Sequence, residues 1–176
     1  MFQAAIILSQ QYNITIETQF IGWQSIQTGR DGTNALSNTC SVISTSNIVG
    51  MVGPEFSSES LLIAPFAAKI GIPVISHAST DPELSDRSTY SVFHRTVPSD
   101  NIAASTIVDL FIRFNWTSCI IIYQNDACGS GGAKAISDAF GKRNLTVINK
   151  LDQLSEPDGI FIHRQTSTFY RAWASP

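Results

Sequence analysis

Two adjacent serines, Ser57 and Ser58, follow an apolar run that ends at Gly53-Pro54, and they stand where a helix is predicted to begin. Serine is common at a helix start because its hydroxyl oxygen can accept a hydrogen bond from a backbone N–H that has no partner there. The same N–H groups, together with a hydroxyl, can instead hold an anion such as a carboxylate. The local sequence leaves both interpretations open and favours capping.

Two later loops carry further polar side chains. Segment 80–83, T-D-P-E, has the pattern of a capping box with a proline in the first turn. Ser79 and Thr80 could each direct a hydroxyl into a cleft. Asp100, in "VPSDN", is either the N-cap of the next helix or a carboxylate that pairs with a ligand ammonium.

The segment "QNDACGSGGAK" resembles a phosphate-binding loop only superficially. Lys134 is followed by Ala135 where that motif needs serine or threonine, and the third glycine of a dinucleotide fingerprint is absent. His77, His94 and His163 lack metal-ligand spacing, and no G-x-S-x-G motif occurs. We therefore expect a flexible turn at this segment, and neither an enzyme nor a bound metal or cofactor.

Composition narrows the functional class further. Charged residues make up 14% of the chain, against roughly 25% in an average soluble domain. The net charge is −3 and no Lys/Arg run occurs, which argues against nucleic acid as a partner. Three N-x-T sequons, at Asn13, Asn115 and Asn144, favour a secreted, glycosylated surface.

The three cysteines, Cys40, Cys119 and Cys128, give an odd count with no C-x-x-C spacing. Cys119 lies inside an apolar run and is predicted to pack in the core. Whether Cys40 forms an intermolecular disulfide is left open.

Helical and extended patterns alternate along the chain, which predicts an α/β fold with parallel sheets covered by helices on both faces. Ligands in such folds bind beyond the carboxyl ends of the strands, where the loops above lie. Pro65 should kink or shorten its helix. Helices are predicted at 2–12, 35–45, 57–70, 101–114 and 129–143. Extended segments are predicted at 13–26, 47–54, 72–77, 91–100, 117–124 and 144–151.

Four segments together resemble a known family: "VGMVGPEFSSES", "IAPFAAKIGIPVISHASTDPELSD", "FHRTVPSDN" and "FNWTSCIIIYQND". They look like the extracellular ligand-binding region shared by class C G-protein-coupled receptors and natriuretic-peptide-type guanylate cyclases. That region is related to the type I periplasmic binding proteins. The resemblance extends roughly from Phe2 to Leu151, and the order and spacing of its motifs are specific for this superfamily.

The resemblance implies two α/β lobes joined by a hinge, with a ligand enclosed between them. Residues 1–97 would form a partial first lobe without its first strand, and residues 98–154 a partial second lobe. Residues 155–176 would form a divergent tail. This pattern is typical of a fragment of a longer receptor.

The resemblance to amino-acid-sensing members also implies roles for individual residues. Ser57, with Ser58 beside it, would hold the ligand carboxylate. The backbone carbonyl of Ala78 and the hydroxyl of Thr80 would hold the ligand ammonium. Asp100 would complete that ammonium site.

Cys128 stands where glutamate receptors carry a tyrosine, so an aromatic stacking contact is absent. The implied ligand is amino-acid-like, either glutamate-like or similar to γ-aminobutyrate. The receptor would dimerise through lobe 1 at the extracellular face of the plasma membrane, and segments outside this chain would provide the membrane anchor. A receptor guanylate cyclase and a periplasmic-type solute-binding protein are the alternatives.

Overall fold

The computed structural model describes residues 2–153, 160–163 and 169–172. The helices are α1 (Phe2–Gln11), α2 (Gly32–Thr45), α3 (Ser57–Ile70), α4 (Asp100–Arg113) and α5 (Ala127–Gly141). The strands are β1 (Thr15–Ile16), β2 (Gln19–Phe20), β3 (Met51–Val52), β4 (Val74–Ser76), β5 (Phe93–Arg95), β6 (Ser118–Gln124), β7 (Thr146–Gln153), β8 (Ile160–His163) and β9 (Phe169–Ala172). A 3₁₀ turn spans Pro82–Ser85. None of the described helices is long and apolar enough to span a membrane.

The first sheet contains β3, β4 and β5 in parallel order, as the sequence predicted. Val74 and Phe93 are buried in a core shared with Ala64 of α3, because alternate residues of each strand point toward that helix. Val52 and Ile75 lie on the other face and are 56% and 42% exposed. The expectation that both faces would be covered is therefore wrong for this sheet within the described residues.

The second sheet has the order β7-β6-β8-β9. Strands β6 and β7 are parallel, but β8 is antiparallel to β6 and β9 is antiparallel to β8. The prediction of parallel pairing throughout is wrong here. Six residues separate β7 from β8, and a parallel crossover needs about a dozen or more. Strands β8 and β9 lie in the tail predicted at 155–176, of which 155–159, 164–168 and 173–176 fall outside the described residues.

Helices α4 and α5 pack on β6 around an apolar core. The rings of Phe111 and Phe140 meet edge to face with centroids 4.9 Å apart, and Ile121 of β6 is fully buried beside them. Cys119 is also fully buried, which confirms its predicted packing role. Burial raises the pKa of its thiol to about 12. These elements, α4, β6 and α5, form the second region, which contains the N-termini of both helices.

One local expectation is wrong. The extended segment predicted at 13–26 contains only the short antiparallel pair β1 and β2, because Glu17 and Thr18 between them adopt positive φ values of 49° and 69° and reverse the chain. Helix α3 has its predicted span and includes Pro65, so the proline does not shorten it. Gly71 then ends that helix in a left-handed conformation, as predicted.

Candidate ligand-binding site

The serine pair lies in the first turn of α3, but neither serine caps that helix. The N-cap position is occupied by Phe56, which makes no side-chain capping hydrogen bond. Ser57 is buried, and its hydroxyl oxygen accepts a hydrogen bond of 3.3 Å from the backbone N–H of Asp81. Ser58 is half-buried. The capping interpretation is therefore wrong, and the Ser57 hydroxyl hydrogen can still be donated to an anion.

The first turn of α3 is also tied to the loop before α2. Glu59 is fully buried, and its Oε1 accepts a hydrogen bond of 3.1 Å from the backbone N–H of Arg30. Its Oε2 has no hydrogen-bond partner among the described residues. The Arg30 guanidinium lies 4.6 Å from the ring centroid of Phe56. A carboxylate at this position is favoured by the helix dipole, and these contacts fix the segment that carries the serines.

The loop after β4 is held from inside by serine hydroxyls. Ser79 is fully buried, and its hydroxyl lies 2.7 Å from that of Ser60 and donates to the carbonyl of Glu55 at 3.1 Å. Ser76 Oγ accepts the backbone N–H groups of Ser79 and Ala78. The hydroxyl of Ser79 thus points into the first region, defined as strands β3 to β5 and helix α3, rather than into a cleft. Ala78 is half-buried at the loop surface.

Thr80, Asp100 and Cys128 come together from three separate elements. The Thr80 hydroxyl donates to Asp100 Oδ2 at 3.2 Å, and the Thr80 Oγ1 lies 3.7 Å from the Cys128 Sγ. The backbone N–H of Asp100 donates to the Thr80 carbonyl at 3.0 Å. The loop after β4, the start of α4 and the start of α5 therefore meet at one point.

Asp100 is the first residue of α4 and not its cap. Ser99 occupies the N-cap position and accepts the N–H of Asn101, so the predicted capping role of Asp100 is wrong. Burial raises the pKa of the Asp100 carboxyl to about 6, while the hydrogen bond from Thr80 lowers it and the nearby charge of Asp81 raises it further. At neutral pH the carboxylate is ionised and poorly solvated, a state that a ligand ammonium would stabilise.

Cys128 lies in the first turn of α5. Asp126 caps this helix, because its Oδ1 accepts the backbone N–H of Gly129 at 2.7 Å. Burial raises the pKa of the Cys128 thiol, so it is a neutral, compact side chain at ordinary pH.

The sequence patterns did not indicate a role for Arg95, whose guanidinium binds the loop after β4. Its Nη1 donates to the carbonyls of Ser79 and Asp81, at 3.2 and 2.9 Å, and its Nη2 donates to Ser85 Oγ. Burial lowers the pKa of Arg95, while the neighbouring charges of Asp100 and Asp81 raise it. The arginine thus holds the loop in place and offsets its negative charge. The motif "FHRTVP" contains Arg95, but nothing local shows which carbonyls it would reach.

These contacts link the start of α3 to the start of α4 through two adjacent residues, Asp81 and Thr80. The backbone N–H of Asp81 contacts the Ser57 hydroxyl, and its neighbour Thr80 contacts Asp100. A hydrogen-bond donor region at the α3 start is therefore adjacent to an acceptor region at the α4 start. Such a pair of regions suits a small zwitterion, with its carboxylate on one side and its ammonium on the other.

A family comparison tests the fold class and the sequence resemblance. The family described as the receptor family ligand-binding region matches residues 8–163. The chain belongs to this family. Membership in the receptor ligand-binding family confirms the predicted α/β class and the resemblance drawn from the four sequence motifs.

Curated proteins similar to this chain include metabotropic glutamate receptors. The chain is 33% identical over 101 residues to a probable metabotropic glutamate receptor of Caenorhabditis elegans. It is 33% identical over 100 residues to the metabotropic glutamate receptor of Drosophila melanogaster. It is 38% identical over 88 residues to metabotropic glutamate receptor 4 of Macaca fascicularis. These alignments cover 57%, 57% and 50% of the chain, and each covers 10% of the relative.

The three sequon asparagines, Asn13, Asn115 and Asn144, are all exposed, and each has a positive φ between 53° and 56°. They therefore lie in surface turns that a glycan could reach. No cluster of three or more potential metal ligands is present in the part of the chain that the structure describes.

Proposed function

We propose that this chain is part of the extracellular ligand-binding region of a class C G-protein-coupled receptor. It binds a small amino-acid-like ligand in a cleft between a first lobe, residues 1–97, and a second lobe, residues 98–154. The observation that carries the proposal is the contact of Thr80, from the first of these segments, with Asp100 and Cys128 from the second. Family membership and the metabotropic glutamate receptor relatives support it.

The ligand carboxylate is held at the start of α3. The Ser57 hydroxyl accepts from Asp81, and its own hydrogen is directed to the ligand. Backbone N–H groups of the first helical turn, including that of Ser58, add donors and a positive partial charge. Hydrogen bonds to a charged group are stronger than neutral ones, so this end anchors the ligand.

The ligand ammonium is held at the start of α4. The Asp100 carboxylate supplies the negative charge, and the Thr80 hydroxyl and the Ala78 carbonyl supply further acceptors. Because burial raises the Asp100 pKa to about 6, an ammonium relieves an existing electrostatic cost when it binds above that pH. Ser79 takes no direct part, since its hydroxyl is engaged with Ser60 and Glu55.

Signalling follows from a difference in affinity between two arrangements of the lobes. A ligand that contacts Ser57 on one lobe and Asp100 on the other binds the closed arrangement more tightly, and so shifts the population toward it. No bond is made or broken, and the chain acts as a binding module rather than an enzyme. Lobe 1 carries the receptor dimer contact, glycans occupy Asn13, Asn115 and Asn144, and other segments of the receptor anchor it at the plasma membrane.

Calorimetric titration of the full chain with L-glutamate, glycine and γ-aminobutyrate tests this proposal. The parent should bind at least one of them, and Ser57→Ala and Asp100→Asn should each weaken that binding by roughly tenfold or more, which corresponds to about 1.4 kcal/mol. Ser105→Ala is the matched control, since Ser105 is exposed on α4 and its hydroxyl donates to the helix carbonyl of Asn101. Equal binding by the parent and both site variants would refute the site assignment.

A further inference from the structure

Helix α5 packs against the first region through two elements, the helix α3 and the 3₁₀ turn Pro82–Ser85. The same helix carries Cys128 to within 3.7 Å of Thr80. The position of α5 on that turn therefore determines whether the two sides of the candidate site meet.

Asp81, which caps this turn, presents a buried carboxylate to α5. Asp81 is 6% exposed. Its Oδ1 accepts the N–H of Glu83, its own N–H donates to Ser57, and its carbonyl accepts from Arg95. The hydrogen bond from Glu83 and the burial of Asp81 restrict movement of its carboxylate, and the bonds to Ser57 and from Arg95 hold its backbone in place.

Opposite this carboxylate, α5 has a glycine. A Cβ on Gly131 would lie 2.8 Å from Asp81 Oδ2, 3.0 Å from its Cγ and 3.1 Å from its Oδ1. Real Cβ atoms essentially never approach another heavy atom as closely as 2.8 Å, so a side chain here requires α5, the turn or the Asp81 carboxylate to shift. Gly131 lies within α5, where alanine is a better helix former by about 1 kcal/mol. The helix itself therefore does not require the glycine.

Two other glycines of α5 differ from Gly131. A Cβ on Gly129 would lie 2.1 Å from the carbonyl oxygen of Gln124, at the end of β6, so that glycine serves packing within the second region. A Cβ on Gly141 would meet nothing within 4 Å. Gly131 is thus the glycine of these three whose close neighbour belongs to the other proposed lobe.

We propose that Gly131, packed against the Asp81 carboxylate, sets how closely the two lobes can approach, and so acts as a positioning residue for closure of the cleft. This inference rests on the proposed two-lobe function. A side chain at position 131 holds α5 away from the turn, separates Cys128 from Thr80 and lowers the population of the closed arrangement. Ligand affinity falls in proportion to that population.

A cross-link that needs no ligand tests the inference. Thr80→Cys, in a Cys40→Ser background, places a thiol beside Cys128, and oxidised glutathione converts the two thiols to a disulfide while it is itself reduced. The rate of this cross-linking reports how often the two sides meet. Gly131→Ala should slow it roughly tenfold or more, as expected for overpacking at a tight contact. Gly141→Ala, the same change at an open position of the same helix, should leave the rate unchanged.

A compensating change separates a steric cause from a general disturbance. Asp81→Ala removes the carboxylate that the new methyl group would strike, so the variant with both Gly131→Ala and Asp81→Ala should cross-link at the rate of Asp81→Ala alone. Cross-linking of Gly131→Ala at the parent rate would overturn the inference, and so would a double variant as slow as Gly131→Ala.

The folding midpoint of Gly131→Ala gives a second measure. It should match that of Gly141→Ala, because the contact joins two units rather than stabilising one of them. A markedly lower midpoint would also overturn the inference. Because the cross-link requires no ligand, a failure of the amino acids to bind leaves its outcome interpretable.

Discussion

The two regions that meet at the site are built differently. The first, which contains β3 to β5 and α3, buries polar side chains: Ser57, Glu59, Ser60, Ser76, Ser79 and Asp81. The second, formed by α4, β6 and α5, has a core of Ala104, Val108, Phe111, Cys119, Ile121, Ala133, Ala135, Ile136 and Phe140. Hydrogen bonds are directional and apolar packing is not. We infer that the hydrogen bonds of the first region fix the geometry of its loops. The apolar core of the second region positions the N-termini of α4 and α5 against those loops.

The largest expected loss of stability comes from a substitution in the apolar core of the second region. Phe140 is fully buried and meets the Phe111 ring at 4.9 Å. Phe140→Ala should lower the free energy of unfolding by about 3–5 kcal/mol, because a buried ring is replaced by a cavity. Chemical denaturation measures this, with Phe114→Ala as the control, since that ring is 56% exposed. Equal losses in the two variants would contradict the assigned core.

A smaller effect is expected in the polar region. Ser79→Ala removes the hydroxyl that bonds to Ser60 and to the Glu55 carbonyl. The buried groups left behind should cost about 1–3 kcal/mol of unfolding free energy. Ser105→Ala, the same change at an exposed position of the second region, should cost nothing and can gain from helix propensity. A Ser79→Ala variant as stable as Ser105→Ala would show that the buried network does not hold the loop.

Asp100→Asn should raise the stability of the folded chain although it weakens ligand binding. Because the Asp100 pKa is raised to about 6, its burial destabilises the folded chain above that pH, and protonation removes this cost as pH falls toward the ordinary carboxyl range. After solvent screening and loss of the charged hydrogen bond from Thr80, we expect Asn to gain about 1 kcal/mol or less at neutral pH. Thermal unfolding of parent and variant from pH 7 to pH 4 measures the difference, which should shrink as pH decreases. A difference that grows in acid would contradict the assigned pKa shift.

The smallest effect belongs to the surface of the second region. Lys134 and Asp138 form an exposed i,i+4 ion pair at 3.1 Å on α5. Lys134→Ala should change the unfolding free energy by about 0.5 kcal/mol or less, and less still at high salt. A loss above about 1 kcal/mol would mean that this pair contributes more than exposed pairs usually do.

Sequence patterns located helices in both regions: α3 was predicted at its observed bounds, and α4 and α5 to within two residues at each end. The β-branched run of β6 was also located within a few residues, because burial there follows apolar periodicity. The β1–β2 reversal was missed, since Glu17 and Thr18 adopt a left-handed backbone that their residue types disfavour.

At the candidate site, the sequence interpretation misassigned two helix caps by one position. Phe56 and Ser99 occupy the N-cap positions predicted for Ser57 and Asp100. A cap depends on the backbone dihedrals of a single residue, which sequence patterns place only within a few residues. Arg95 was missed because its carbonyl partners are 14 and 16 residues away in sequence and meet it only in the folded chain.

The most direct test of the central claim compares two half-buried thiols in one sample. Cys128 lies at the candidate site beside Thr80, and Cys40 lies on α2. We would alkylate the chain with N-ethylmaleimide, with and without L-glutamate, glycine or γ-aminobutyrate, and follow both cysteines by peptide mass spectrometry. If the ligand binds between Ser57 and Asp100, at least one amino acid should slow modification of Cys128 and leave that of Cys40 unchanged. Equal rates at Cys128 with and without all three amino acids would contradict the proposed site.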